Sequence, residues 1–159
     1  MRDGFGFQDP VLGELTDDWN FQCWRGRIVF GSGDDCDLTL MESEEDGFPD
    51  SDPRPSGLAR LRAAHGVAES GLVPNAVEAV IAARVARLGW RDGPDRDAWS
   101  PIEILVDRED RLWLSIHEGE TDEYSLWIIA FGAQDRPVEV RRAPFVAGGA
   151  PITECGKTV

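Results

Sequence analysis

Three cysteines (Cys23, Cys36, Cys155), two histidines (His65, His117) and the aspartates at Asp17-Asp18 and at Asp92, Asp95 and Asp97 are the residues from which this 159-residue chain could build reactive chemistry. A cysteine beside a histidine makes a thiolate nucleophile, a pair of carboxylates makes an acid and a base, and clustered oxygen donors hold a hard cation. Their spacing speaks against each. The cysteines are an odd, widely separated set with no C-x-x-C pair, which argues against a disulfide framework and a zinc ribbon. Pro94 interrupts the aspartate run and no glycine stands at its sixth position, so the calcium-loop template fails. His65 shares a helical face with Leu58 and Leu61, which makes it a packing residue.

Asp9, Glu14, Asp17 and Asp18 lie where turns and a sheet edge are expected, and solvated acids there lack the contrasting environments that a catalytic pair requires. "GSGDD" at 31–35 is followed by no lysine and opens no helix, so it reads as a hairpin loop and not a phosphate cradle. No nucleophile elbow, Walker loop, dinucleotide fingerprint or H-E-x-x-H occurs. The residues therefore assign no catalytic group, metal or cofactor. The alternative they leave open is a small metal- or thiol-dependent enzyme using Cys23, Cys36, His117 or the acids at 92–97.

The net charge of −14 is the strongest bulk signal. Residues 1–53 carry 14 acids and 3 bases, residues 54–91 carry 2 and 6, and residues 92–159 carry 14 and 7. Such a surface repels nucleic-acid backbones and attracts a basic protein. Fifteen of the sixteen bases are arginine. There is no long apolar run and no secretory signal, which reads as a cytoplasmic protein with no membrane segment.

The elements that must position these residues follow from hydrophobic period and turn chemistry. Val11 to Leu15, Trp19 to Cys23 with Arg27 to Phe30, and Cys36 to Met41 predict a three-stranded antiparallel meander, with a turn at Thr16-Asp17-Asp18. Residues 42–56 predict an acidic loop. Gly57 to His65 predicts a helix stopped by Gly66, and Pro74 to Leu88 a second helix, with Arg84, Arg87 and Arg91 on its exposed ridge. Ile102 to Val106, Leu112 to His117, Tyr124 to Phe131 and Val138 to Val140 predict four more strands, the third covered on both faces and the fourth outermost. Residues 143–159 read as a loosely held tail. The expectation is one α+β domain over 1–159: a mainly antiparallel sheet built as meander, two helices and four further strands, with the helices on one face.

Six tryptophans mostly belong to the core, while Trp24 and Trp113 are candidate interface residues, because tryptophan is enriched at binding hot spots. Together, "DPVLGELTDDWNFQCWRGRIVF", "CDLTLM" and "PIEILVDREDRLWLSIHEGETDEYSLWIIAFG" resemble a family of small bacterial domains of unknown function that open on an Asp-Pro-Val-x-Gly-x-Leu strand. Some members are associated with polymorphic-toxin immunity genes. Asp9, Pro10, Val11, Gly13, Leu15, Trp24, Gly26, Ile104 and Trp127 carry the resemblance. Long acidic loop and Arg- and Ala-rich helix depart from it. The resemblance implies a non-catalytic immunity-type protein that neutralises a basic toxin or effector. Glu42, Glu44, Glu45, Asp46, Asp50 and Asp52, with Trp24 and Trp113, are its expected partner contacts.

Overall fold

Alternating apolar residues in the first forty positions form four strands in the computed structural model, which describes residues 6–43, 45, 47–88, 99–118 and 125–144. They are β1 (Gly6–Asp9), β2 (Gly13–Asp18), β3 (Cys23–Val29) and β4 (Asp35–Met41). A helical run follows: α1 (Pro55–Val67), a π turn (Ala68–Leu72) and α2 (Val73–Leu88). Four further strands are β5 (Trp99–Val106), β6 (Leu112–Glu118), β7 (Ser125–Phe131) and β8 (Pro137–Pro144). All eight lie in one sheet in chain order, antiparallel except where β5 runs parallel to β4. The protein is α+β.

Several sequence expectations need correction. The meander has four strands, because a four-residue β1 pairs with β2. Thr16, Asp17 and Asp18 are strand, and the reversal falls at 19–22, where Asp18 accepts the Asn20 amide at 3.0 Å and Gln22 takes a positive φ of 51°. Gly66 does not stop α1; its backbone stays out of the left-handed region, and the helical run continues through the π turn to Leu88. Ala143 and Pro144, expected in the tail, complete β8, while residues 145–159 and Tyr124 lie outside the described residues.

The parallel junction explains the layers. Parallel neighbours need a long crossover, and here α1, the π turn and α2 supply it across one face of the sheet. Leu38 and Leu40 of β4, Ile104 and Val106 of β5, Leu112, Leu114 and Ile116 of β6, and Trp127 and Ile129 of β7 meet Leu58, Leu61, Leu72 and Val80 there. On the other face a smaller apolar group gathers Cys23, Met41, Leu105, Leu126 and Ile128. Leu126 to Phe131 are all buried, as expected for a strand covered on both sides, and β8 is the outer strand.

The junction also carries a polar row. Glu103 is 2% exposed; it accepts from the Thr39 hydroxyl at 2.6 Å and from Arg25 Nη1 at 3.3 Å. Arg25 Nε reaches Asp18 at 2.8 Å, so a chain of donors and acceptors crosses from β2 to β5.

α1 lies close to β4 at Gly57, where a Cβ would overlap Leu40 Cδ1 and come within 3.0 Å of Arg54 Nη2. Gly66, by contrast, has nothing within 4 Å. Replacing either by alanine gains helix propensity of up to about 1 kcal/mol. At Gly57 the overpacking, about 1–3 kcal/mol, outweighs that gain. Urea unfolding is therefore expected to show Gly57→Ala less stable than wild type by about 1 kcal/mol and Gly66→Ala more stable by about 0.5–1 kcal/mol.

Candidate partner-binding surface

Strand direction collects the acids at one end of the sheet. β2, β4, β5 and β7 finish there, so the connections at 19–22, 42–54, 107–111 and 132–136 are neighbours. They and the strand ends beside them hold Asp17, Asp18, Glu42, Glu45, Asp50, Asp52, Asp107, Glu109, Asp110 and Asp135. Three of the described arginines at this end, Arg54, Arg60 and Arg108, serve as clamps. Arg54 Nη2 reaches Asp110 Oδ1 at 2.5 Å and the Asp107 carbonyl at 2.9 Å, while Nη1 donates to the Met41 carbonyl at 2.9 Å. Arg108 Nε donates to the Glu42 carbonyl at 2.9 Å, and Arg60 meets Asp135 at 2.7 Å. Guanidinium groups with several fixed donors are suited to tying loops together in this way.

The expected contacts divide. Glu45, Asp50 and Asp52 are exposed. Glu42 is 3% exposed and turned inward, where its carboxylate accepts the Arg54 amide at 2.8 Å, so it holds the loop and is withdrawn from the surface. Trp24 is withdrawn too; it is 3% exposed and packs edge-on to Phe48 at 5.6 Å. Trp113 is half-buried between Arg111 and Arg141, with its Nε1 donating to Asp107 at 2.9 Å. Glu44 and Asp46 lie outside the described residues. The sequence reading missed Asp107, Glu109, Asp110 and Asp135, whose turns lie more than fifty residues from the loop they join; the polar run at 107–111 was the available signal.

An open cleft of about 530 Å³ lies at this end, between Arg60, Asp110, Arg111, Leu112, Phe131 and Gln134. Of its charges, Asp110 is paired with Arg54, Asp135 with Arg60, and Arg111 lies 3.9 Å from Glu139.

The candidate chemistry is dispersed. Cys36 points to the helix side and Cys23 to the other face, three strand spacings from His117, a lateral gap on the order of 14 Å. Burial pushes both thiols up to about 12. His65 is on α1 and His117 on the sheet face opposite it. Among the described residues no group of three ligating side chains could hold a metal; Asp92, Asp95, Asp97 and Cys155 lie outside them, as do the side chains of Arg84 and Arg87 and all of Arg91. Among the described residues, too, no helix is long and apolar enough to cross a membrane.

Asp9 sits at the opposite end of the sheet, buried, accepting the Val11 and Leu12 amides at 2.9 and 2.8 Å and Arg62 Nε at 2.8 Å. It fastens α1 to the β1–β2 turn. An α+β scaffold with an acidic end, and without an assembled reactive centre among the described residues, is the class this geometry defines. The chain matches no family model, no curated protein and no solved structure.

Two measurements follow. The Arg62 hydrogen bond, with the two amides, holds the Asp9 carboxyl down at about 2 against an ordinary 3.8. A depressed folded-state value stabilises fully above the unfolded pKa and is lost as pH falls through the folded one. Wild-type melting temperature should therefore drop between about pH 4 and pH 2, and Asp9→Asn should start lower and lose less over that window. Cys23 and Cys36 should resist iodoacetamide at pH 8 in the folded protein and react within minutes in urea, as mass spectrometry of the labelled peptides would show; fast native labelling would revive a thiol chemistry.

Proposed function

We propose that this domain is a non-catalytic, cytoplasmic protein-binding module that covers a basic partner with the acidic end of its sheet, as an immunity-type protein covers a toxin or effector. The observation that carries the reading is the convergence of four acid-bearing connections at one end, where Arg54, Arg60 and Arg108 are engaged with the protein's own loops. Glu45, Asp50 and Asp52 are exposed on the connection between β4 and α1 at that end. A clustered negative field accelerates encounter with a basic protein, and buried aromatics then hold the complex.

Co-expression with the product of the neighbouring reading frame tests this. Growth should be rescued by the wild-type domain, and continued killing with both proteins soluble would count heavily against the reading. The triple change Glu45→Lys, Asp50→Lys, Asp52→Lys should slow association by about 10–100-fold at low salt, with a flatter salt dependence in stopped-flow measurements.

A further inference from the structure

Asp17 is a carboxylate of β2 to which no described residue donates a hydrogen bond. Both of its oxygens are shut off from solvent and accept no hydrogen bond from the described residues. Its neighbour Asp18 points to the opposite face and is held by Arg25 at 2.8 Å. An unsatisfied buried carboxylate is a costly feature that calls for a physical reason.

Its surroundings supply one. Asp17 is the direct cross-strand partner of Trp24, so the two side chains stand side by side on the helix side of the sheet. The α1 and α2 helices pack over β4, β5, β6 and β8, and the cover over Trp24 is Phe48 from the acidic loop. Phe48 meets Trp24 edge-on at 5.6 Å and Trp19 at 6.1 Å with their planes 61° apart. Trp19, in the β2–β3 turn, is 49% exposed and is the outermost ring of the three. A carboxylate with no donor among the described residues therefore stands beside Trp24, whose ring leads through Phe48 to Trp19 at the acidic end of the sheet.

We propose that Asp17, Trp19, Trp24 and Phe48 receive a lysine or arginine side chain from the basic partner, an inference that rests on the reading above. The cation lies against the aromatic faces, whose quadrupole attracts positive charge, and its N–H groups supply the donors that Asp17 lacks. Trp19 swings outward to admit it. Anionic and neutral side chains are refused, because neither offers a charged donor to the carboxylate. A metal is refused as well, since no second and third ligands stand beside Asp17 among the described residues.

The test uses the whole chain without its partner. Wild type, Asp17→Asn and Trp19→Phe are titrated with N-acetyl-arginine amide, N-acetyl-lysine amide and, as control, N-acetyl-glutamate amide, following the indole N–H signal that Trp19→Phe assigns to Trp19. The two cationic probes should shift that signal with millimolar affinity in wild type and bind at least about tenfold more weakly to Asp17→Asn, with no response to the glutamate probe. Without any probe, Asp17→Asn should melt higher than wild type, by about 2–4 °C, because the uncompensated charge is gone. Equal shifts in wild type and Asp17→Asn, or an Asp17→Asn protein that melts at or below wild type, would overturn the assignment. Neither readout involves the partner. Loss of growth rescue would leave this pocket standing, and failure of the titration would leave acidic-end docking standing.

Discussion

The parallel pairing of β4 with β5 is the constraint from which the rest of the architecture follows. Leu38 opposite Ile104 and Leu40 opposite Val106 place two central strands side by side in the same direction, which obliges the chain to cross between them. The crossover is helical and apolar on its inner side, so it covers the sheet face it spans. Glu103 lies beside Thr39 and Arg25 on the other face and is buried there. A carboxylate in that position adds little net stability over an apolar residue of the same size, yet losing its donors would be costly. Its contribution is to register. A slip of one residue would turn Glu103 into the helix-packed core, where no described donor waits for it.

Arginine is the counterpart of that constraint at the sheet ends. Arg54, Arg108, Arg60 and Arg62 each join segments distant in sequence: loop to turn, helix to turn, helix to β1. Arg54 and Arg60 are half-buried in these contacts, and acids outnumber bases in the connections around them. The same residues that hold the scaffold together thus determine the field it presents.

Much of this was legible where the signal is local. Pro74 near the start of α2, the alternation of Leu112, Leu114 and Ile116, and Gly31, Ser32 and Gly33 between β3 and β4 all announce their elements through backbone preference and period. Signals that depend on distant partners were hidden. β1 is only four residues long, and what fixes Asp9 beside it is Arg62, 53 positions later. Glu42 has the look of a solvated loop acid until Arg54 is placed against it. Trp19, Phe21 and Cys23 alternate as a strand does, but Trp19 belongs to the turn, because Asp18 bonds the Asn20 amide and reverses the chain. The acidic loop was visible as a candidate surface, whereas its union with the turns at 107–111 and 132–136 needed the strand order.

Three aspartates of the first two strands show how one residue type is divided by its surroundings. Asp9 receives two backbone amides and a guanidinium, and becomes a structural anchor with a depressed pKa. Asp18 receives Arg25 and becomes a link in the row that reaches Glu103. Asp17 receives no hydrogen bond from the described residues and stands beside Trp24. Natural sequences are consistent across levels of structure except where function asks otherwise, so the position that fails to complete its own hydrogen bonding is the informative one. Stability alone would favour asparagine or leucine there. A carboxylate at this position is what the proposed partner cation would complete, and the acidic connections around it would favour that cation's approach.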